Sequence, residues 1–196
     1  MRPLVYIWPY AAVFWLVYIW AFWPELKLVH RGAQNVAANA SSKDAGSLKL
    51  VVRGTSLAML AAFLLAFVAA GQFGDASRAF WIGTTLLILG SLLRRHCWRV
   101  LGNYFTGDVQ VSATQPVIDS GAYRWVRHPS YTAGMLMFIG IGIALSNWLS
   151  LTVLLLVSTA VYAYRVSVEE GVLLSTLGDE YRSYTQRTKR FIPYVF

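Results

Sequence analysis

Long apolar stretches separated by polar segments dominate the pattern of this chain. Residues 3–23 contain no charged side chain, and further apolar runs occupy about 55–72, 79–95, 131–146 and 149–165. A helix of about 20 apolar residues crosses the hydrocarbon layer of a bilayer, so the pattern predicts about five transmembrane helices. The expected fold class is therefore an all-α integral membrane protein.

Three polar segments lie between or after these spans. Residues 24–54 are mixed in character, and their stretch of Asn, Ala, Ser and Gly at 35–47 predicts a flexible loop. Residues 96–130 are turn-rich and too polar to cross lipid. The tail that starts at Arg165 has a helical character, and Gly178 predicts a bend or break within it.

The order of spans and polar segments predicts a single domain, residues 1–196. The first part, 1–95, holds three transmembrane helices, and the short turn between the second and third predicts an antiparallel hairpin. The second part, 96–196, holds a polar loop, another helical hairpin and the tail. Because this later hairpin returns the chain to the same membrane face, we expect the polar loop and the tail to lie close together.

Composition and charge support a membrane protein. The chain is 57% hydrophobic and 13% charged, whereas soluble domains typically carry about 25% charged residues. Of its 17 Lys and Arg residues, five spans leave only Arg2 and Arg78 on one face and collect the others on the opposite face. We interpret this asymmetry as a topology signal. It predicts a cytoplasmic polar loop and C-terminus, and it removes the need for a nucleic-acid partner to explain the net charge of +8.

Several familiar site motifs are missing from the sequence. Cys97 is the only cysteine, and the three histidines, His30, His96 and His128, are scattered. The chain contains no HExxH, no P-loop and no GxGxxG motif. The sequence therefore predicts no metal site and no Rossmann-type nucleotide site.

Three segments near the polar face carry candidate chemistry. The sequence "SGAYRWVRHPSYTAG" at 120–134 leads into the fourth span, and an Arg-x-x-x-Glu-Glu pattern with Arg165, Glu169 and Glu170 follows the fifth. The tail contains "LGDEYRSYTQRTKRFIP" at 177–193. A charged residue at the end of a membrane helix is costly unless it is paired, so these segments are candidates for a functional site.

These segments, in this order and at this spacing, resemble those of the isoprenylcysteine carboxyl methyltransferase family and of its wider relatives, the phospholipid methyltransferases. The resemblance covers about residues 115–196. It implies an integral-membrane enzyme that uses S-adenosyl-L-methionine without a Rossmann fold. One position departs from the family pattern, because Gln115 stands where the family often has His.

The resemblance also implies the roles of individual residues. Arg165 is expected to face the methyl acceptor, as the catalytic residue that binds the acceptor's carboxylate. The residues expected to line the S-adenosylmethionine pocket are Gln115, Pro116, Val117, Ile118, Tyr123, His128, Pro129, Ser130, Tyr131 and Glu169.

The chemistry of these residue types fits such roles. A carboxylate acceptor is already ionised near neutral pH, so its methylation needs alignment and water exclusion rather than a general base. Arg165 can bind a carboxylate through two nitrogens, and Glu169 can accept hydrogen bonds from an ammonium group or a ribose. Arg165 and Glu169 are four residues apart, however, and this spacing alone favours a simple salt bridge on one helical face. The family resemblance favours the functional site instead.

The sequence leaves several functions open. The leading hypothesis is methyl transfer to the carboxylate of a lipophilic small molecule or prenylated peptide within a membrane. The alternatives are a methyltransferase acting on a phospholipid or on another lipophilic amine or thiol, and a non-catalytic polytopic membrane protein. A transporter would be expected to carry polar groups near the membrane midplane, whereas here they gather at one face. The oligomeric state is not predicted.

Overall fold

The computed structural model describes residues 2–38, 46–105, 111 and 115–192, except for the side chains of 27–38 and Asn103. Its regular elements are α-helices and short 3-10 turns, so the all-α prediction is confirmed. The α-helices are α1 (Tyr10–Ala38), α2 (Ser47–Leu65), α3 (Ala76–Leu101), α4 (Pro129–Ala144), α5 (Trp148–Leu177) and α6 (Asp179–Arg187).

Five of these helices are apolar. Among the described residues, α2, α3 and α5 are each long and apolar enough to cross a membrane, while α4 and the apolar part of α1, Tyr10–Leu26, are shorter. The membrane character of the chain is therefore confirmed. The number of five spans stays a prediction, because it depends on the two shorter helices.

Several helix ends differ from the predicted ones. The first helix starts at Tyr10 and continues through Pro24 into the predicted polar segment, and α2 begins at Ser47 rather than near residue 55. Similarly, α3 continues to Leu101, past the predicted end at about residue 95. Hydropathy marks where a helix crosses lipid, but backbone hydrogen bonds allow the helix to continue into the polar interface. The predicted loop at 35–47 is helical at both ends, and residues 39–45 lie outside the described residues.

The packing separates the two helices that were expected to form the first hairpin. Helix α3 packs mainly on α4, and α2 packs mainly on α5. The connection between α2 and α3 is short, but these helices make few contacts with each other. The prediction of a packed α2–α3 hairpin is therefore wrong, because each helix finds a closer neighbour in the second half of the chain.

Glycines allow the close approach of α3 and α4. A Cβ atom at Gly140 would lie 2.6 Å from the backbone nitrogen of Leu87 and 2.7 Å from the carbonyl oxygen of Gly83. A Cβ atom at Gly83 would lie 2.3 Å from the backbone nitrogen of Ala144. Small residues at such crossings bring helix backbones into van der Waals contact in membranes.

The α4–α5 hairpin returns the chain to the face where the candidate site lies. Ser146 has a positive φ of 52° in the connection. Asn147 is fully buried and caps α5, because its side-chain oxygen accepts hydrogen bonds from the backbone of Leu149 and Ser150. The pairing of α4 with α5 as neighbouring helices was predicted, and it places the start of α4 beside the end of α5.

Candidate active site

One large cavity lies where the start of α4, the later part of α5 and the polar segments meet. Its space, including the mouth, comes to about 1370 Å³. It is lined by residues from α1 through α6. The predicted residues that line it are Gln115, Pro116, Val117, Ile118, Tyr123, His128, Ser130, Tyr131, Arg165 and Glu169.

Pro129 is the predicted residue that does not line the cavity. It occupies the first turn of α4, where its missing N–H costs no helical hydrogen bond, and it is fully buried. Its neighbours His128 and Ser130 reach the cavity instead. Pro129 therefore shapes the entry into α4, and the structure does not place it at the surface that a ligand would touch.

A tyrosine hydroxyl joins the two charged residues that the sequence singled out. Tyr131 donates a 2.9 Å hydrogen bond to Glu169 and accepts one of 3.2 Å from Nε of Arg165. Arg165 also donates a 2.6 Å bond to the hydroxyl of Ser47, at the first turn of α2. The helical spacing of Arg165 and Glu169 thus places both at one cavity wall, with Tyr131 connecting them.

Glu170 forms a second cluster, next to the cavity. Its carboxylate accepts a 2.9 Å hydrogen bond from Arg127, lies 3.1 Å from Nε2 of His128 and accepts two bonds, of 3.0 and 2.9 Å, from Arg190. Glu170 is buried, and the Arg127 side chain is only 11% exposed. A buried carboxylate requires such partners. Glu170 therefore joins Arg127 and His128, which precede α4, to Arg190 in the tail.

The Glu170 cluster anchors the C-terminal tail. Val126 and Lys189 form a parallel β-bridge, and the backbone nitrogens of Arg127 and His128 donate to the carbonyls of Lys189 and Arg190 at 2.7 and 3.0 Å. The charge count treats Arg127 as a topology signal, although its position also allows contact with an anionic group. The structure shows instead that its side chain lies inside the protein.

A third polar cluster links α1, α3 and α4. Arg94 binds both carboxylate oxygens of Glu25 and donates a 2.6 Å hydrogen bond to the carbonyl of Ser130. Trp98 donates to the Ser130 hydroxyl at 3.3 Å. Arg94 and Glu25 also line the cavity. This cluster therefore holds the turn that presents Ser130 and Tyr131.

Three buried tyrosines, two of which belong to α6, line one wall of the cavity. Burial raises the pKa of Tyr123, Tyr181 and Tyr184 above the usual value of 10, so their phenols stay neutral donors at physiological pH. Tyr184 uses its proton in a 2.6 Å hydrogen bond to the carbonyl of Tyr123. The Tyr181 hydroxyl is buried at the cavity wall and has no hydrogen-bond partner within the described part of the chain. Such a group is suited to meet a polar atom of a ligand.

Sequence reasoning missed part of the site. Arg94 had been counted only as a topology charge, and Glu25 and Glu170 were given no role. One signal was available, since Glu25 is the first acidic residue after a long uncharged span and such residues are functional candidates. The position of Tyr181 and Tyr184 in the polar tail helix predicts side chains that pack this helix against the protein. Both are buried, as expected, and both also line the cavity.

The cavity combines apolar walls with a few polar groups. The α2 residues Leu48, Val51 and Val52 line one part, and Leu173 and Leu177 of α5 line another. Within the described ranges, no group of three or more His, Cys, Asp or Glu side chains is placed to hold a metal ion. Ligand sites commonly have this character, with apolar surfaces and a small number of positioned polar groups.

Comparisons with known proteins identify the family. Residues 78–180 match the phospholipid methyltransferase family. Protein-S-isoprenylcysteine O-methyltransferase B of Arabidopsis thaliana is 28% identical over 165 residues, which are 82% of this chain and 84% of the relative. Protein-S-isoprenylcysteine O-methyltransferase of Tribolium castaneum is 34% identical over 116 residues, which are 58% of this chain and 41% of the relative.

A solved structure supports the same relationship. The eukaryotic intramembrane Ras methyltransferase, an isoprenylcysteine carboxyl methyltransferase, superimposes with a TM-score of 0.63 at 30% identity. The match covers 71% of this chain and 52% of that enzyme, so this chain spans about half the length of the solved protein. The chain belongs to the phospholipid methyltransferase family, and within it to the branch of membrane methyltransferases that contains the isoprenylcysteine carboxyl methyltransferases.

Proposed function

We propose that this methyltransferase transfers the methyl group of S-adenosyl-L-methionine to the carboxylate of a lipophilic acceptor such as an isoprenylcysteine. The observation that carries this proposal is the Arg165–Tyr131–Glu169 chain of hydrogen bonds on the wall of one cavity. These hydrogen bonds hold the guanidinium group of Arg165 and the carboxylate of Glu169 at neighbouring points. A methyl donor with cationic groups can therefore lie beside Glu169, while a methyl acceptor with a carboxylate lies beside Arg165.

The residues around Glu169 fit the cofactor. S-adenosylmethionine supplies an electrophilic methyl group on a sulfonium when it is bound. Glu169 is about 30% exposed on its side chain and can accept hydrogen bonds from an ammonium group or ribose hydroxyls. The Tyr181 hydroxyl, which has no hydrogen-bond partner among the described residues, can donate to the same molecule. Ile118, Leu173 and Leu177 provide apolar surface for an adenine ring. The segment from Gln115 to Ile118 and the His128–Ser130 turn would complete the enclosure.

Arg165 is the residue proposed to hold the acceptor. Its guanidinium is fixed by the hydroxyls of Ser47 and Tyr131, so its orientation is set before a substrate arrives. A planar guanidinium aligns a carboxylate through two parallel hydrogen bonds. Because the carboxylate is already a nucleophile, the protein needs to orient it and exclude water, and no general base is required. A protonated amine would be repelled by Arg165, which disfavours an amine acceptor.

The apolar chain of the acceptor has a matching surface. Leu48, Val51 and Val52 of α2 line the cavity on the side of Ser47 and Arg165. Aromatic rings of α1 pack on Phe63, which lies near the opposite end of α2. These contacts join α1 and α2 far from Leu48. We therefore propose that a lipophilic chain enters from the bilayer beside Leu48, while the cofactor enters from the aqueous side.

The orientation follows from charge. The Lys and Arg asymmetry supports a cytoplasmic active site and C-terminus and an extracytoplasmic N-terminus. Reporter fusions at both termini test this orientation. A cytoplasmic N-terminus would show that one of the two shorter apolar helices, α1 or α4, does not span the membrane.

A methyl-transfer assay tests the proposed function. Purified protein in detergent is incubated with labelled S-adenosylmethionine and an N-acetylated S-prenylcysteine, and labelled ester is measured. The matched control is the same compound with its carboxylate converted to an amide, and phosphatidylethanolamine tests the amine alternative. We expect labelling of the free acid alone. Labelling of phosphatidylethanolamine without labelling of the acid would contradict the carboxylate assignment.

A further inference from the structure

A shallow groove lies on the outer surface of the protein, away from the cavity just described. It is lined by Pro24 of α1 and by Arg95, Trp98 and Arg99 of α3. Arg95 and Arg99 are one helical turn apart, and the Nε of Arg99 lies 3.4 Å from the carbonyl of Arg95. Two cationic side chains therefore border the same concave surface.

Arg95 is held in a defined position. Its Nη2 donates a 2.5 Å hydrogen bond to the carbonyl of Trp20, and its guanidinium lies 4.5 Å from the centre of the Trp20 ring. Its Nε donates at 3.3 Å to the hydroxyl of Ser91, which is buried and itself donates to the carbonyl of Ala21. A mobile surface arginine has no such support. Arg95 is therefore a pre-oriented cation.

The partners of these two arginines differ from those of most other arginines. Arg78, Arg94, Arg127, Arg182, Arg187 and Arg190 each form an ion pair with a carboxylate. In contrast, no Asp or Glu of the described residues forms an ion pair with Arg95 or Arg99. The groove thus carries a local charge of about +2 that no carboxylate of the described residues neutralises.

The groove lies at one end of a lipid-facing surface. Helix α3 has 26 residues, or about 39 Å, and a hydrocarbon layer of about 30 Å covers about 20 of them. Asp75 and Arg78 stand near one end, and Arg95 and Arg99 stand near the other. On the membrane side of Arg95, Leu92 and Leu89 are exposed at successive turns of α3, and Ile82 is exposed two turns beyond Leu89.

Helix α1 extends the same surface. Leu16, Ile19, Trp20 and Trp23 are exposed on α1 at 41 to 70% of their full area. Tryptophan is enriched at the level of the lipid headgroups, and Trp20 contacts Arg95 directly. The surface therefore has cations and tryptophan at the interface and aliphatic side chains toward the hydrocarbon layer.

We propose that this α1–α3 groove is a binding site for one anionic phospholipid. The phosphate lies between Arg95 and Arg99, Trp98 contacts the glycerol region, and an acyl chain follows Leu92 and Leu89. The sign of the charge selects an anionic lipid, and the aliphatic surface beneath the arginines selects a lipid over a soluble phosphate. The site is separate from the catalytic cavity and does not depend on the proposed acceptor.

Native mass spectrometry of detergent-purified, delipidated full-length protein tests the proposal. The protein is titrated with phosphatidylglycerol, with phosphatidylcholine of the same chains, and with inorganic phosphate. We expect one phosphatidylglycerol to bind more tightly than any phosphatidylcholine, and inorganic phosphate not to compete at the same concentration. Arg95→Gln/Arg99→Gln should weaken this binding about thirtyfold, since each arginine near a membrane surface contributes about five- to sixfold.

A matched double variant separates a specific site from general electrostatics. Arg53→Gln/Arg182→Gln removes the same charge from exposed side chains outside the groove, and we expect it to leave phosphatidylglycerol affinity within twofold of the original protein. Circular dichroism and thermal unfolding confirm that both variants are folded. The proposal is overturned if the two double variants weaken binding equally, if Arg95→Gln/Arg99→Gln has no effect, or if inorganic phosphate displaces the lipid. Should Arg95→Gln/Arg99→Gln fail to fold, the single variant Arg99→Gln is tested for an affinity loss of at least threefold.

Discussion

The hydroxyl of Tyr131 stands 2.9 Å from the carboxylate of Glu169, across the gap between α4 and α5. Tyr131 enters the helix two residues after Pro129, whereas Glu169 lies near the end of a helix that begins on the other side of the membrane domain. The same hydroxyl accepts a bond from Arg165. One phenol thus connects the proposed cofactor residue with the proposed acceptor residue.

Replacing Tyr131 by phenylalanine tests this connection. Tyr131→Phe removes the hydroxyl and keeps the ring that packs against Tyr162. Hydrogen bonds to charged groups contribute about 1.5–3 kcal/mol, so kcat/KM should fall by roughly 10- to 100-fold. Turnover and S-adenosylhomocysteine affinity are measured together, and thermal unfolding serves as the control. Unchanged turnover would remove Tyr131 from any role in alignment.

The acceptor assignment predicts a selective defect in Arg165→Lys. A lysine ammonium keeps the charge but cannot reproduce a planar contact with a carboxylate. Transition-state stabilisation should fall by about 2–5 kcal/mol, while S-adenosylhomocysteine still binds. Calorimetry and the methyl-transfer assay on the same preparation provide both readouts. Normal turnover would refute the assignment. Loss of both turnover and S-adenosylhomocysteine binding would mean that Arg165 contributes to the cofactor site or to the stability of the fold.

Two tyrosines of α6 should respond differently to the loss of a hydroxyl. Tyr181→Phe removes a buried hydroxyl that lacks a partner among the described residues, so the stability of the protein should not change. S-adenosylhomocysteine should bind about 5- to 10-fold more weakly, as expected for the loss of one net hydrogen bond. Tyr184→Phe removes a 2.6 Å bond to the carbonyl of Tyr123 and should lower stability. Calorimetry and thermal unfolding of both variants check this contrast. Equal cofactor affinity in Tyr181→Phe and the original protein would place that hydroxyl outside the cofactor site.

The buried Glu170 cluster predicts a large loss of stability. Glu170→Gln leaves Arg127, His128 and Arg190 without their shared carboxylate. Breaking a buried ion pair costs about 3–5 kcal/mol, which corresponds to a fall in Tm of roughly 10 °C for a chain of this size.

An exposed ion pair provides the control for Glu170. The Asp119 and Arg187 side chains are 51% and 62% exposed, so Asp119→Asn should cost less than about 1 kcal/mol. Differential scanning fluorimetry in one detergent compares the two variants. Equal Tm values for Glu170→Gln and Asp119→Asn would mean that the buried cluster does not anchor the tail.

The contact between α3 and α4 predicts opposite effects of two glycine substitutions. Gly140→Ala places a Cβ atom against the backbone of Leu87 and Gly83, and such overpacking costs about 1–3 kcal/mol. Gly171→Ala meets no atom within 4 Å and should stabilise α5 by roughly 0.5–1 kcal/mol. Thermal unfolding measures both changes. A neutral result for Gly140→Ala would show that the two helices can separate at no cost.

The sequence by itself determined the class of the protein and ten of the residues that line the candidate cavity. A run of apolar side chains long enough to cross lipid requires a helix, because only a helix satisfies its own backbone hydrogen bonds there. Arg165 and Glu169 are separated by about one helical turn, so their spacing also predicted that both side chains lie at the same wall of the cavity. Gly178 was expected to interrupt the last helix, and it has a φ of 57° between α5 and α6.

Tertiary structure decided which helices pack together and which charges are buried. Hydropathy is a local property, and it cannot state that α2 packs on α5 or that α3 packs on α4. In the same way, one-dimensional charge counting treats Arg94, Arg127 and Arg99 alike. Arg94 meets Glu25 and Arg127 meets Glu170 only when distant segments fold together, while Arg99 stays exposed. The reason is physical: burial and partners depend on contacts across long sequence separations, and those contacts exist only in three dimensions.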